Sequence, residues 1–322
     1  MKILVTGGAG YIGSTLVPTL LEAGHQVRAL DCLMHGGRSL LPVWSHPRFE
    51  FHRGDVRDPS AVRTALEGIE AVVHLAAIVG DPACARQPEL ALQINRDASL
   101  KVLGESARAG VRRFVFASTC SNYGRMTDRS AYVDESSDLR PVSLYAETKV
   151  AVERAVLDPA CTGDLCATAL RFATVYGVSP RMRFDLTVNE FTLEVLTKKH
   201  LTVFGEQFWR PYIHVRDLAR GIGLILQAPI EKVRNQAFNV GSTAQNYQKQ
   251  QLVEMLRPLA RDAVIEFVHK DEDPRDYRVS FEKIRRLLDF ECRHSVEGGM
   301  NEIARLVQSG AIENYDSPEY RN

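Results

Sequence analysis

The sequence predicts a doubly wound α/β protein, a parallel sheet covered by helices on both faces, with a smaller carboxyl-terminal α/β part. Two observations predict it. Short apolar runs alternate with helix-periodic stretches as far as Phe172, and the first junction between them is a glycine-rich turn. Alternation at every step implies right-handed crossovers between parallel strands. No internal repeat, low-complexity tract or linker breaks this half. The expected organisation is one domain over 1–172, with segments near 210–240 returning to it, and a second domain built mainly from 173–322.

The opening stretch, MKILVTGGAGYIGS, organises the rest. Ile3, Leu4 and Val5 form an apolar run suited to a strand buried on both faces. Gly7, Gly10 and Gly13 follow, and Leu16, Val17, Leu20 and Leu21 recur at helical spacing up to Gly24. In such a strand, turn and helix, Gly7 permits the tight turn, Gly10 admits a phosphate to the backbone, and Gly13 lets the helix lie close on the strand. The helix N-terminus adds unpaired N–H groups and the positive end of a dipole. Gly7, Gly10, Tyr11, Ile12 and Gly13 are thus the candidate cradle for a dinucleotide pyrophosphate. A second run, Gln26 to Leu30, ends in Asp31, at the distance where an acidic side chain meets an adenosine ribose. A carboxylate accepts from a 2′-hydroxyl and repels a 2′-phosphate, so NAD is favoured over NADP. Arg38 is near enough in sequence to soften that preference.

Composition narrows the class further. The 322 residues are 45% hydrophobic and 25% charged, enough for a large core. Forty basic residues balance forty acidic ones, so no long-range field recruits nucleic acid or an anionic membrane. No apolar run approaches membrane-spanning length, and the amino terminus reads as a core strand rather than a signal peptide. Cys32, Cys84, Cys120, Cys161, Cys166 and Cys292 form no CxxC pair, which suits a reducing cytoplasm. The histidines include no HExxH, and no metal is expected.

Phe49 to His52 is a further strand, and Asp58-Pro59 opens a helix that reaches Leu66, with Asp58 as its cap. Asp55, followed by Val56, stands at a strand end where it meets an adenine amino group or serves as a cap itself. Ala71 to Leu75 is the fourth strand; with Leu75, the small Ala76 and Ala77 let the nicotinamide side of a cofactor pass close to the backbone. His74 inside that strand reads as a packed histidine. Gln87 to Gly110 reads as one long helix, and Arg112 to Ala117 as the fifth strand.

Two pieces follow that a pure binding module does not need. The stretch Ser118-Thr119-Cys120-Ser121-Asn122-Tyr123-Gly124 lies at the carboxyl end of the fifth strand, where open α/β sheets place ligands. Tyr145-Ala146-Glu147-Thr148-Lys149 then opens a helix, with Tyr145 and Lys149 on one face. An ammonium there favours the phenolate and reaches a nicotinamide ribose. A phenol brought toward neutrality takes a hydroxyl proton while a hydride leaves the same carbon, and Thr119 adds a hydrogen bond to that oxygen.

Taken together, these motifs resemble the extended short-chain dehydrogenase/reductase family, the NAD-dependent epimerases and dehydratases of nucleotide sugars. The resemblance covers nearly the whole chain: GxxGxxG, Asp31, Asp55-Val56, His74-Leu75-Ala76-Ala77, Thr119, and YxxxK at Tyr145 and Lys149. It implies a Rossmann-type fold, bound NAD, a nucleoside-diphosphate sugar as substrate and a homodimer. Catalysis would fall to Thr119, Tyr145 and Lys149. The family's 4,6-dehydratases typically carry an acid and a glutamate base after the threonine, where this chain has Cys120 and Ser121. A 4-epimerase is therefore expected, passing through a transient 4-keto sugar with hydride transfer to and from NAD. A ketoreductase or dehydratase is the alternative, and a non-catalytic dinucleotide sensor the reading of a different class.

The carboxyl-terminal part adds substrate candidates. Asp164 to Phe172 is a sixth strand; Ala173 replaces the asparagine many relatives have nearby. By resemblance Cys120, Ser121 and Asn122 border the sugar, while Cys120 also suits plain packing. Asn189, in a mixed basic and aromatic stretch, is either a substrate contact or a helix-face amide. Arg210 matches the family arginine that meets a diphosphate, with Trp209 stacking or packing beside it. Arg275 is a second such candidate, with Arg278 next, unless Asp273 or Asp276 holds it in a salt bridge. His214 and Asp217 match a structural turn. Past Leu306 the tail is expected to be irregular.

Overall fold

The strand that begins at Lys2 becomes an interior strand of the main sheet. In the computed structural model, which describes residues 1–126, 131–271, 273 and 275–322, β1 (Lys2–Thr6) carries Ile3, Leu4 and Val5 fully buried on both faces. Around it stand β2 (Gln26–Asp31), β3 (Phe49–Arg53), β4 (Ala71–His74), β5 (Arg113–Thr119) and β6 (Cys166–Phe172). Past β7 (Thr174–Tyr176), β8 (His200–Phe204) and β9 (Trp209–His214), the chain returns to this sheet at β10 (Gln236–Val240). The seven-stranded order is β10-β6-β5-β4-β1-β2-β3, parallel throughout. Strand order therefore reverses between β1 and β4, which makes the carboxyl ends of those two strands the switch point where such sheets bind ligands. One apolar core lies on each face of the sheet.

A third core gathers Tyr176, Phe184, Phe191, Leu252 and Met300 beyond the sheet. It is framed by a three-stranded sheet, β11 (Asn246–Gln248) with β9 and β7, and by the parallel pair β8 and β12 (Val264–Val268). The segment that returns to the main sheet starts later than the sequence suggested. β9 belongs to the small sheet, whereas helix Val215–Gln227 packs on Gly13–Glu22 and on β5. The tail differs as well. Helix Val296–Gln308 is longer than expected, and the rings of Tyr315 and Tyr320 meet Phe184 edge-on, each at 5.7 Å.

The long helix expected over 87–110 is not uniform. It runs as Pro88–Ala91, a π-helical stretch Leu92–Ala98, and Ser99–Arg108. The wide turn lets Asn95 accept from the N–H of Ile78 and donate to its carbonyl, both at 2.8 Å, pinning the strand exit at Ala76–Ile78. Ser99 meets His74 Nε2 at 2.9 Å, and His74 Nδ1 lies 2.7 Å from Thr6 Oγ1, so one buried imidazole ties β4, β1 and this helix together. Burial lowers the His74 pKa from its ordinary 6.5 to about 3. Between those values the unfolded chain binds the extra proton, so stability falls as pH drops, by up to about 1.4 kcal/mol per unit. His74→Asn should lose less stability than the wild type when urea unfolding near neutral pH is compared with unfolding at about pH 4.

Candidate active site

The glycine turn folds as the spacing predicts. Gly7 has φ +73°, and a Cβ there would lie 2.8 Å from the backbone nitrogen of Ala76, so the β1 and β4 exits touch backbone to backbone. At Gly13 a Cβ would collide with the Gly7 carbonyl oxygen, which keeps the helix start tight against the turn. Gly10, Tyr11, Ile12 and Gly13 line a cleft of about 690 Å³ together with Asp31, Asp55, Val56, Leu75, Ala76 and Ala77. Asp31 is half-buried and braced, accepting from the N–H groups of Ala9 (2.9 Å) and Leu33 (2.8 Å). Asp55 is clasped by Arg57 through its backbone N–H and guanidinium, and Asp58, as expected, caps the next helix. Arg38 is exposed and outside this lining. The cradle and the ribose carboxylate at the switch point fit a dinucleotide. Gly7→Ala should cost about 1–2 kcal/mol of stability and weaken NAD binding in titration calorimetry, because it strains the turn that presents the N–H groups.

The candidate reactive side chains come from β5 and one helix. Helix Leu144–Leu157 starts where Ser143 Oγ accepts from the N–H of Ala146 (3.3 Å); the same hydroxyl donates to Asp81 at 2.7 Å. The helix docks on β5 through two of its own residues. Lys149 Nζ donates to the Ala117 carbonyl at 2.8 Å, and Glu153 takes a hydrogen bond from Ser118 at 2.5 Å and pairs with Arg171 at 2.6 Å. This sets Tyr145 in the cleft wall beside Thr119, whose hydroxyl accepts from the N–H of Ser121 at 3.1 Å. Lys149 is buried behind the wall, its ammonium 5.9 Å from the centre of the Tyr145 ring. Burial raises the Tyr145 phenol pKa in the protein by itself, with Arg183 the main charge opposing it, and burial lowers that of Lys149 to about 8. The expected lowering of the phenol pKa by the Lys149 ammonium is outweighed by burial here, and one of the three N–H donors of Lys149 goes to the Ala117 carbonyl.

At the other end of the cleft Arg210, Lys249 and Arg275 gather. Asp273 holds two of them, with Arg210 at 2.8 Å and Arg275 at 3.5 Å; Arg275 also reaches Asp81 at 3.0 Å. The salt bridge that one reading of Arg275 foresaw is present, and the residue also lines the cleft. Tyr277, which sequence reasoning did not single out, lines the same end: its hydroxyl is 3.3 Å from Ser121 Oγ, and the Arg210 guanidinium lies 5.4 Å from its ring. Arg181, Arg183, Lys249 and Asp81 were missed too; only the basic content of the 179–191 stretch hinted at the first two. Arg278 lies over the rings of Tyr132 and Trp209, outside the cleft lining.

Three proposed substrate contacts point elsewhere. Cys120 is buried with Sγ 3.2 Å from the Arg171 carbonyl, and burial pushes its thiol pKa well up. Asn122 is fully buried and donates to Ser118 and Glu153. Asn189 is fully buried as well, accepting from the N–H of Gly177 (3.0 Å) and donating to the Arg183 carbonyl (2.8 Å) and the Tyr11 hydroxyl (3.2 Å). None of the three lines the cleft. Ser121 does. His214 and Asp217 are structural, bonded to Glu302 (2.8 Å) and to the backbone of Arg293 and His294.

A glycine turn, an acidic residue at the end of the second strand and Thr119 and Tyr145 on one cleft, with Lys149 behind it, are the arrangement expected of an NAD-dependent enzyme of nucleotide-sugar chemistry. The chain belongs to the NAD-dependent epimerase/dehydratase family, whose sequence model matches residues 3–241. It is 30% identical to a UDP-glucose 4-epimerase of Corynebacterium glutamicum, over 92% of each chain. Its fold is similar to that of Thermus thermophilus UDP-glucose 4-epimerase in complex with NAD, at TM-score 0.84 and 26% identity over 97% of this chain and all of the other. It is also similar to DesIV, a dTDP-glucose 4,6-dehydratase of Streptomyces venezuelae with NAD bound, at TM-score 0.86 and 27% identity over the full length of both.

Proposed function

We propose that this protein is an NAD-dependent 4-epimerase of nucleoside-diphosphate sugars that works through a transient 4-keto sugar. One observation carries the choice of reaction. Thr119 and Tyr145 face the cleft while the two positions after Thr119 offer no carboxylate: Cys120 is turned inward, and Ser121 meets Tyr277. Asp81, the carboxylate whose charge reaches Tyr145, is already tied to Ser143 and Arg275. Elimination of water needs a base to take a carbon-bound proton, and that base is lacking among these groups.

NAD, when bound, supplies reversible hydride acceptance. The protein supplies the proton path. Tyr145 as phenolate takes the proton of the sugar 4-hydroxyl and returns it to the same oxygen once the ketone has presented its other face. Thr119 holds that oxygen by a hydrogen bond, and the Lys149 ammonium lies behind the phenol ring to stabilise its anionic form. Arg210, Arg275 and Lys249 hold the diphosphate, a point about which the sugar can turn. In this reading residues 1–172 and 215–240 serve as the cofactor domain and the rest mainly as the substrate domain. We further propose a cytoplasmic homodimer acting in carbohydrate metabolism, supported by the family resemblance and by six free cysteines. No helix among the described residues is long and apolar enough to cross a membrane.

The test is incubation with a panel of nucleotide sugars, UDP-glucose first, with no cofactor added, followed by mass spectrometry and proton NMR. A product of unchanged mass with an altered C4 coupling pattern is expected. Loss of the mass of one water would mean dehydration, and turnover of 4-keto sugars only with added NADH would mean a ketoreductase.

A further inference from the structure

Arg181, in the cleft lining, makes no salt bridge among the described residues. Arg181 is 6% exposed, and among the described residues its side chain makes a single hydrogen bond, from Nη2 to the Arg321 carbonyl at 3.0 Å; its Nε is buried without a partner. Its neighbour Arg183 is different, gripping Asp185 with two hydrogen bonds of 2.9 and 2.7 Å. A buried guanidinium without an anion is costly, and folds keep one where a ligand supplies the charge.

Position says which ligand. The backbone carrying Arg181 is stitched to the glycine turn from the opposite side of the cleft. Tyr11 Oη donates to the Gly177 carbonyl at 2.6 Å, Ser179 Oγ donates to the Tyr11 carbonyl at 2.6 Å, and the Arg181 N–H donates to Ser14 Oγ at 3.3 Å. Arg181 acts electrostatically on Asp31, both arginines act on His35, and Arg183 acts also on Tyr11 in the glycine turn and on Tyr145 at the reactive end. The two guanidinia thus bracket the stretch between the ribose carboxylate and the phenol. A dinucleotide lying across the cleft has its diphosphate there.

We propose that Arg181 is a cofactor-binding residue that meets the dinucleotide diphosphate across from the glycine turn, closing a clamp with one jaw from each part of the chain. The proposal rests on the cofactor alone, so it stands or falls independently of which sugar reaction the cleft performs. The clamp makes the 177–183 segment part of the cofactor site, so the residues that shape the substrate wall also retain the cofactor.

The test is titration calorimetry on nucleotide-stripped wild type, Arg181→Gln and Arg181→Lys with NAD, ADP-ribose, NADP and adenosine, at low and high salt. For Arg181→Gln we expect NAD and ADP-ribose to bind at least about 10-fold more weakly, adenosine to bind as before, and the salt dependence of NAD binding to flatten. Arg181→Lys should recover part of the loss. Arg181→Met, unfolded by urea without ligand, should be no less stable than the wild type, because the buried charge it removes has no ion pair. Equal weakening of adenosine, a clear loss of ligand-free stability, or unchanged NAD affinity would each overturn the proposal. A loss confined to NADP would overturn it as well, by assigning the arginine to a 2′-phosphate.

Discussion

Tyr145→Phe should lower kcat by about 10²–10⁴-fold while the protein keeps its NAD. The substitution removes one hydroxyl from the cleft wall and leaves the ring that packs before Lys149. Only the proton transfer is lost. Kinetics on a nucleotide sugar, with NAD content measured after heat release, separates this from the alternative class. A protein that merely senses the dinucleotide would respond to ligand as the wild type does. A loss of kcat accompanied by loss of NAD would instead mean that the phenol's main work is holding the cofactor.

The second large effect lies beneath the cleft and concerns stability. Glu153 and Arg171 form an ion pair at 2.6 Å with side chains 1% and 4% exposed. The pair is satisfied on all sides: Glu153 also accepts from Ser118 and Asn122, and Arg171 donates to the Tyr123 hydroxyl, which donates to Asn239. Glu153→Ala leaves a buried guanidinium without its partner and should cost about 3–5 kcal/mol. Urea unfolding measures it. Removing both charges in Glu153→Leu with Arg171→Leu should recover much of that loss, since the penalty comes from the orphaned charge rather than from the missing attraction. A single-variant cost below about 1 kcal/mol would show the pair to be hydrated and the helix held by Lys149 alone.

This network explains what could be read from the sequence and what could not. The glycine turn, Asp31 and the Tyr145–Lys149 spacing are local: neighbours along the chain fix their geometry, and the sheet only has to accept them. The residues after Thr119 are local too, but they form a short 3₁₀ turn, Cys120–Tyr123, whose consecutive side chains leave in different directions. Ser121 meets the cleft, while Cys120 and Asn122 turn toward Arg171 and Glu153. Nothing in the chain order marks which is which. Asn189 failed for a similar reason. It sits on a helix, Thr187–Thr197, whose amide-bearing face is turned to Tyr11 and the 177–183 backbone rather than outward. The π-helical stretch Leu92–Ala98 was hidden because it holds no glycine or proline to mark it and its apolar residues still recur at near-helical spacing. Asp81 and Tyr277 escaped because their meaning depends on partners far away in sequence, Arg275 and Ser121.

The most direct test of the account is to follow one atom. A nucleotide sugar carrying deuterium at C4, incubated with the protein and no added cofactor, should give the C4 epimer with the deuterium still at C4 and the mass unchanged. That outcome requires the same hydride to leave and return, with Tyr145 moving only the hydroxyl proton. Deuterium recovered at C6 with the loss of one water would contradict it, because the cleft would then hold a base for elimination that Cys120 and Ser121 do not supply.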